Sequence, residues 1–433
     1  MIENNLYDLS ITKLDFKIFL IAILLLASAP FFSSIIFLYL TLKSFRKSYK
    51  ELIADKYNLL ILIVSIIMIL QCILYTFFID NELEKWSEQL HWAGIANWIP
   101  LFILFIGLQP YLSTPEKRLK TAKFFIASSF PVLASCLLQF IFGWHGPYET
   151  LNGLIKWFQI PYGNEGSITG LFNNPNYTGS WLTLIFPLSL ACFKDKFSNK
   201  EYLKFKILFL IISLFTFTIL LTNSRAAFIG LIFSIPIIFG KKIIKYFNIF
   251  LLLAFIVIII NYFLPSTIFY EILNNSFLQD NFLLSKFSSM FYSLKSEIRF
   301  SIWGQAINFI QEKPLFGWGS STFPILFRIN NDNWYGHTHN LFLELSLSYG
   351  LIVASLIFLF LFKIIYKSYL IIFKNKINYS FIDRGFWTGA FIFFILAQLY
   401  DVLFFDFRLN IASWIFLAAL KSILNKQIRK QSI

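Results

Sequence analysis

The chain has 433 residues, of which 57% are hydrophobic and 14% are charged, and its formal net charge is +14. A soluble protein of this length needs far more charged surface, so the composition excludes that class. Apolar runs of about 20 residues recur, and each is long enough to cross a hydrocarbon core of ~30 Å. Because the runs are continuous rather than alternating, they predict an all-α integral membrane protein and not a β-barrel.

Eleven continuous apolar runs predict the membrane-spanning helices. They lie at 16–42, 57–79, 91–109, 122–142, 178–193, 207–222, 226–240, 246–264, 338–362, 386–404 and 409–424. Pro30 breaks the first run, so that run is either one tilted helix or a tight pair, and the total is eleven or twelve spans. The run also contains Ala27-Ser28-Ala29, which fits a signal-peptidase site, but Pro30 follows immediately and we expect the segment to be retained.

The basic residues are concentrated on one side of the predicted bundle. Of the 37 Lys and Arg residues, 26 lie in the loops at 43–56, 110–123, 194–206, 241–245, 363–384 and 421–430. This asymmetry predicts that these loops and the C-terminus are cytoplasmic. It also explains the positive net charge by membrane topology, so no nucleic-acid partner is predicted.

Several polar or reactive side chains have a structural interpretation. An odd number of cysteines inside apolar runs argues against a disulfide framework and against a Cys/His metal site; they are Cys72, Cys136 and Cys192. For the acidic residues of the outward loops, a solvated surface is favoured over a divalent-ion site; they are Glu82, Glu84, Asp401 and Asp406. Asn174 and Asn176 flank Pro175 before the fifth run, where Asn-Pro predicts a turn.

The largest outward segment, 265–337, is predicted to contain short helices. Residues 297–311 have helical spacing, with one apolar side formed by Ile298, Ile302, Ala306 and Phe309. A Pro/Gly-rich segment with Pro314, Gly317 and Gly319 follows, here called the elbow, and it ends this helix. Taken alone, Arg299 on the helix is interpreted as a solvated charge or a partner of Glu297 rather than as a ligand contact.

Arg225 stands where one apolar run ends and the next begins, on the predicted outer side. Thr222, Asn223 and Ser224 directly precede it and are natural N-caps for the next helix. An arginine at a helix N-terminus combines the positive end of the helix dipole with a bidentate cation, which suits a phosphate. The alternative is an interface arginine that snorkels to the membrane surface, and position alone does not separate the two.

A histidine pair lies directly before the long apolar run at 338–362. His337 and His339 flank Thr338, and histidine acts as a base near neutral pH. Metal binding and helix capping are the alternatives, with metal the weaker one because no third or fourth ligand has fitting spacing. Glu344 lies inside the run, where a carboxylate is costly. It is predicted either to orient a histidine or Asn340, or to pair with an arginine.

Three segments together resemble the O-antigen ligase and polymerase superfamily of bacterial envelope glycosyltransferases. They read TNSRAAF, EIRFSIWGQAINFIQEKPLFGWGSSTF and HTHNLFLELSLSYGLI. The shared features are an SR-type start to a span, an Arg followed by a Trp-containing helix and a Pro-x-x-Gly-x-Gly elbow, and a His-Asn pair with a Gly ten residues later. Here that Gly is Gly350. The ligase form often has Gly, Thr or Tyr three residues further on, whereas this chain has Val353, so ligase and polymerase both stay open.

The resemblance implies a membrane-glycosyltransferase fold of 11–12 transmembrane helices with its site at the periplasmic face of the bacterial inner membrane. It implies a donor glycan on undecaprenyl diphosphate, an acceptor that is lipid A-core or another glycan, and no metal or other cofactor. Residues 1–168 would be an N-terminal scaffold, 169–362 the catalytic region and 363–433 the C-terminal helices with a basic tail.

The resemblance also implies roles for individual residues. Arg225 and Arg299 would bind the diphosphate, and His339 would activate the acceptor hydroxyl. The supporting residues would be His337, Asn340, Glu344, Asn174 and Asn176.

Two other classes of function stay open. A subset of the superfamily is associated with bicarbonate uptake, so a transporter is one alternative. Against it, the sequence has no paired Gly/Pro-broken spans in two halves. A non-catalytic membrane scaffold is the other, and it predicts that Arg225, Arg299 and His339 lie far apart.

Overall fold

The computed structural model describes residues 11–77, 87–161, 167–198, 202–240, 243, 245, 298–331, 334–374 and 379–431. The predicted span at 246–264, residues 265–297 of the outer loop, and the acidic residues Glu82, Glu84 and Glu297 lie outside these ranges. The described chain is helical apart from loops and one antiparallel hairpin, β1 (Tyr148–Thr150) with β2 (Ile155–Trp157).

The helices are numbered here in chain order. They are α1 (Lys13–Leu25), α2 (Pro30–Ala54), α3 (Lys56–Phe77), α4 (Ser87–Ile95), α5 (Ile99–Leu108), α6 (Pro115–Ser128), α7 (Phe130–Phe142), α8 (Pro175–Ser198), α9 (Tyr202–Leu221), α10 (Arg225–Phe239), α11 (Arg299–Glu312), α12 (Phe323–Asn331), α13 (Leu341–Tyr369), α14 (Phe381–Phe391) and α15 (Phe407–Gln431). Short 3-10 or π segments continue several of them, at Gln109–Leu112, Leu370–Lys374, Ile392–Leu396, Ala397–Leu399 and Leu403–Phe405.

Seven helical segments within the described ranges are long and apolar enough to cross a membrane. They are Lys56–Phe77, Gln89–Leu112, Pro115–Phe142, Leu203–Leu221, Leu341–Lys374, Phe381–Leu399 and Phe407–Asn425. The predicted all-α integral membrane fold is therefore confirmed. The first apolar run forms the tight pair rather than one tilted helix, because α1 ends at Leu25 and α2 begins at Pro30 and packs against it. All three cysteines are buried and free.

Helix α8 forms the centre of the bundle. Every residue from 177 to 192 is buried, and α6, α9, α10 and α14 all pack against this helix. An all-round buried helix is typical of the core of a large helical protein. The N-terminus of α8 lies at the end of the bundle where α9 ends and α10 begins. The C-terminus of α8 lies at the opposite end.

Helices α11 and α12 form a small unit of their own with the elbow between them. Its core contains Ile302, Ala306 and Phe309 of α11 together with Trp318 of the elbow. Three of the four residues predicted on the apolar side of α11 are thus buried. Ile298 is the exception: it precedes the first turn of the helix and is 52% exposed.

The elbow is attached to α13 by backbone hydrogen bonds. The amide of Trp318 donates to the carbonyl of Leu347 at 2.7 Å, and the amide of Gly319 donates to the carbonyl of Ser348 at 3.1 Å. These carbonyls are available because α13 is interrupted at Gly350, whose φ is +80° and ψ is 166°. The interruption frees backbone groups inside an apolar helix, and the elbow satisfies them.

Gly350 also makes the closest backbone contact of this junction. A Cβ built on it would lie 2.0 Å from the carbonyl oxygen of Leu315, and its backbone conformation is essentially restricted to glycine. The next residue, Leu351, donates its amide to the carbonyl of Pro314 at 2.8 Å. The glycine ten residues after Asn340 is therefore the point where the elbow docks on the helix that follows the histidine pair.

We expect Gly350→Ala to lower the free energy of unfolding by at least about 2 kcal/mol, because the substitution adds both backbone strain and a clash with backbone. The measurement is the apparent melting temperature of the purified protein in detergent. Gly304→Ala in α11 is the matched control, since a Cβ there meets nothing within 4 Å. An equal melting temperature for the wild type and Gly350→Ala would contradict the docking role.

Candidate functional site

The site is built around the N-terminus of α10. Ser224 is the N-cap residue, and its hydroxyl accepts a hydrogen bond from the amide of Ala227 at 3.4 Å. Arg225 is the first helical residue and is half-buried. Asn223 has a φ of +54°, a left-handed conformation that asparagine tolerates better than most residues. The turn thus brings Arg225 to the helix start, as the sequence predicted.

Arg225 and Arg299 line the same small cavity, which has a volume of about 170 Å³. The other lining residues are Asn176, Asn223, Ala226, Ile229, Tyr400 and Asp401. Arg299 is half-buried as the first residue of α11 and is therefore not the fully solvated charge that its position alone favoured. The two guanidinium groups come from distant parts of the chain and converge on one polar recess.

Asp401 is the buried acid of this cavity, with only 3% of its surface exposed. Its Oδ2 accepts a hydrogen bond from the side-chain amide of Asn176 at 3.0 Å, and its Oδ1 accepts one from the amide of Val402 at 2.9 Å. The prediction of a solvated acid is wrong here. It is also wrong for Asp406, which is 8% exposed and forms an ion pair with Arg408 at 2.6 Å.

Both histidines contact the same carboxylate oxygen. Nδ1 of His339 lies 3.2 Å from Oδ1 of Asp401, and Nε2 of His337 lies 3.5 Å from it. The two imidazole rings are 4.2 Å apart at their centroids. His339 adopts a left-handed backbone conformation with φ of +54° and keeps 23% of its side chain exposed. The pair is therefore joined to the arginine cavity through Asp401.

A second hydrogen bond assigns the protons of His337. The backbone amide of His339 donates to Nδ1 of His337 at 3.2 Å, so this nitrogen carries a lone pair. In a neutral imidazole the other nitrogen then carries the proton. The Nε2–H of His337 therefore faces the carboxylate of Asp401.

The histidine segment is held by the start of α13. The carboxylate of Glu344 accepts a hydrogen bond from the backbone amide of Thr338 at 2.9 Å, so this buried acid binds the segment between the two histidines rather than an arginine. Asn340 is the N-cap residue, and its Oδ1 accepts a hydrogen bond from the amide of Leu343 at 3.1 Å. Its Nδ2 donates to the carbonyl of Leu399 at 3.3 Å, which fixes the turn that carries Asp401.

The predicted Asn-Pro turn at the start of α8 is also part of the site. Oδ1 of Asn174 accepts a hydrogen bond from the amide of Asn176 at 2.8 Å, which closes the turn before the helix. This leaves the side-chain amide of Asn176 to bind Asp401. Asn174 is thus a structural residue of the turn, and Asn176 is the one that reaches the cavity.

The protonation of the site follows from burial and from the neighbouring charges. Burial lowers the pKa of His337 to about 4, and the charges of His339 and Arg299 act in the same direction while Asp401 opposes them. Burial by itself raises the pKa of Asp401. The hydrogen bonds from His339 and from the amide of Val402, together with the charge that either histidine carries when it is protonated, outweigh burial, so this pKa lies below its usual value. At neutral pH the site therefore contains a neutral His337 and an ionised Asp401.

Three ligand atoms of the site lie close enough to hold a metal ion. One atom each of His337, His339 and Asp401 lies within 4.8 Å of the others. The sequence offered no third ligand with fitting spacing, and the structure supplies one from a distant turn. However, the nitrogen of His337 that faces Asp401 carries a proton, because its other nitrogen accepts the amide of His339. A protonated nitrogen offers no lone pair to a metal, so the donor set fits a hydrogen-bonded cluster better than a metal centre.

Sequence reasoning favoured a solvated loop acid for Asp401 and did not consider Tyr400. Both lie inside the predicted span at 386–404, near its outer end, in the short segment QLYDVLFF. The signal that singled out Arg225, an ionisable residue at the end of an apolar run, also applies to Asp401. Its pairing with His339 is not visible in the sequence, because 62 residues separate the two side chains.

Comparison with known protein families gives a match over part of the chain. Residues 208–358 match the family described as O-antigen ligase. This match supports the resemblance to the O-antigen ligase and polymerase superfamily. The matched region contains Arg225, Arg299 and His339, and the family description supports a glycan-transferring function of the ligase or polymerase type. No curated protein matches the chain.

We expect His337 to destabilise the folded protein progressively as pH decreases from about 6.5 to about 4. The unfolded chain binds a proton on His337 in this window and the folded chain does not, so protonation favours unfolding by about 3 kcal/mol in total. The apparent melting temperature across this pH range is the measurement. His337→Asn, which keeps an acceptor for the amide of His339, should remove this loss of stability at low pH, whereas His145→Gln at an exposed position should retain it. Identical pH curves for wild type and His337→Asn would contradict this assignment.

Proposed function

We propose that the protein is an inverting membrane glycosyltransferase, which moves a glycan from undecaprenyl diphosphate to an acceptor hydroxyl at the periplasmic membrane surface. The observation that carries the proposal is the cavity shared by Arg225 and Arg299, with the cluster of Asp401 and His339 at its edge. The acceptor is lipid A-core for a ligase or another glycan for a polymerase. The convergence of these residues supports an enzyme over a non-catalytic scaffold.

The two arginines are assigned to the donor diphosphate. When the bond between the anomeric carbon and the diphosphate oxygen breaks, negative charge develops on the leaving group. Guanidinium groups held in place before the reaction stabilise that charge, and Arg225 adds the positive end of the α10 dipole. The half-buried position of both side chains strengthens this interaction relative to one in bulk water.

His339 is assigned as the general base. Its Nδ1–H donates to the ionised Asp401, which leaves the lone pair of Nε2 to take the proton of the acceptor hydroxyl. The acceptor oxygen then attacks the anomeric carbon from the face opposite the leaving group, and undecaprenyl diphosphate departs. Asp401 orients the imidazole and stabilises its protonated form, as a buried carboxylate does for a catalytic histidine.

The supporting residues are assigned through the contacts that hold this arrangement. Glu344 and Asn340 fix the segment that carries the histidines, and Asn176 fixes Asp401. His337 remains neutral and packs against the base. We extend the predicted catalytic region, 169–362, by the turn at 397–402, because that turn supplies Asp401.

The location of the polar groups favours an enzyme over a transporter. Arg225 and Arg299 are each the first residue of a helix, and His339 precedes α13 by two residues. Transporter sites instead lie near the bilayer midplane, at broken helices. With the basic loops in the cytoplasm, as the sequence predicts, this end of the bundle faces the periplasm of the bacterial inner membrane.

Substitution of the arginines tests the assignment. We expect Arg225→Gln and Arg299→Gln each to lower glycan transfer by roughly 10²–10³-fold, about 3–4 kcal/mol of transition-state stabilisation. His339→Gln should lower transfer by a similar factor or more. The measurement is transfer from a lipid-linked glycan by the protein in proteoliposomes. Arg328→Gln is the matched control, an exposed arginine on α12 that should leave transfer unchanged. Full activity in Arg225→Gln or His339→Gln would refute the mechanism.

Deletion of the gene separates the two acceptor classes. Unattached long surface polysaccharide is expected for a ligase, and short chains are expected for a polymerase.

In the proteoliposome transfer assay, EDTA should leave the rate unchanged, since the proton on His337 disfavours a metal at the cluster. Unchanged polysaccharide after deletion would count against both forms of the enzyme, and inactivation by EDTA that Zn²⁺ or Mg²⁺ reverses would count against metal independence.

A further inference from the structure

A second cavity lies at the opposite end of the bundle, between α6, α8 and α9. Its volume is about 370 Å³, more than twice that of the arginine cavity. Three lysines line it, Lys123 from α6, Lys196 from α8 and Lys204 from α9, together with one acid, Asp195. The lining therefore carries two net positive charges, while the rest of the cavity is apolar.

The cavity is separated from the candidate active site by the thickness of a membrane. Asn176 and Lys196 lie at the two ends of α8, and twenty residues of helix span about 30 Å. This distance matches the hydrocarbon core of a bilayer. All three lysines lie in the segments 110–123 and 194–206, which the charge asymmetry predicts to be cytoplasmic. The cavity thus lies at the level of the lipid head groups of the other leaflet.

The walls change from polar to apolar along the helices. On the side of the lysines that faces the membrane centre, the cavity is lined by Ile126, Phe130 and Ile207. Helix α9 is peripheral, with Ile207 53% exposed and Leu210 69% exposed, so the cavity is flanked by surface that faces acyl chains. Ammonium groups at head-group depth above an apolar wall match the two parts of an anionic lipid.

We infer that this cavity, which we name the distal groove, binds an anionic glycerophospholipid. The phosphodiester would be held by Lys123 and Lys204. Lys196 lies beside them and also pairs with Asp195, with 3.7 Å between Nζ and Oδ2. The first part of the acyl chains would lie against α6 and α9. Basic pockets between transmembrane helices on the cytoplasmic side are a recurrent mode of binding for such head groups. The inference stands independently of the glycosyltransferase proposal, because it uses none of the residues of the periplasmic site.

The test is lipid binding by the full chain, purified in a neutral detergent. Phosphatidylglycerol is titrated and the apparent melting temperature is followed, because a ligand that binds the folded state stabilises it. Phosphatidylcholine and inorganic phosphate are titrated in parallel. We expect saturable stabilisation by phosphatidylglycerol and little by the other two.

Two double variants then locate the binding site. Lys123→Gln with Lys204→Gln should weaken the apparent affinity for phosphatidylglycerol by roughly tenfold or more, since a lysine near an anionic lipid contributes about fivefold. Lys120→Gln with Lys206→Gln is the matched control, since these lysines lie on the same two helices, are exposed and do not line the groove. The control should weaken the affinity by less than about twofold.

Three outcomes would overturn the inference. Equal losses in the two double variants would indicate general attraction to the basic surface. Equal stabilisation by phosphatidylcholine would indicate an apolar groove without charge recognition, and stabilisation by inorganic phosphate alone would indicate an anion site rather than a lipid site. If the first double variant does not survive purification, the single variants Lys123→Gln and Lys204→Gln replace it, each with an expected loss of about threefold to fivefold.

Discussion

The buried carboxylate of Asp401 is the contact on which the candidate site depends. A carboxylate removed from water is costly unless hydrogen bonds and opposite charge compensate it. Here the compensation comes from three side chains in two other parts of the chain: the amide of Asn176 at the start of α8, and the imidazoles of His337 and His339 before α13. The need to satisfy one acid thus brings together segments that are more than two hundred residues apart.

The second constraint is the interruption of α13 at Gly350. An apolar helix in a membrane cannot leave its backbone groups unsatisfied, so a break requires an external partner. The elbow supplies it through Trp318 and Gly319, and the same elbow follows α11, which begins with Arg299. The position of Arg299 is therefore tied to α13, the helix whose N-terminus carries His339. The interruption is a structural link between Arg299, which is proposed to bind the diphosphate, and the proposed base.

The sequence predicts the helices well and the site in part, for physical reasons. Apolar runs report directly on membrane burial, so the spans and the helix at 297–311 follow from composition and period alone. Arg225 follows too, because its capping residues are local. The burial of Asp401 and the hydrogen-bond partner of Glu344 do not follow from the sequence, because both depend on groups that the fold brings close. The broken first run is a similar case: Pro30 marks the break, but only the packing of α1 on α2 decides between a tilt and a hairpin.

The proton on His337 links the electrostatics of the site to its chemistry. Nδ1 of His337 accepts a hydrogen bond from the amide of His339. Protonation of this ring would place an N–H group on Nδ1 directly opposite the N–H of that amide, which agrees with the lowered pKa of His337. A neutral His337 adds no positive charge beside His339. The carboxylate of Asp401 lies 3.2 Å from Nδ1 of His339 and orients this imidazole, so Nε2 is the nitrogen on the opposite side of the ring. The two histidines are therefore not equivalent: one is fixed in a neutral tautomer by the backbone, and this leaves the other as the group that can accept a proton.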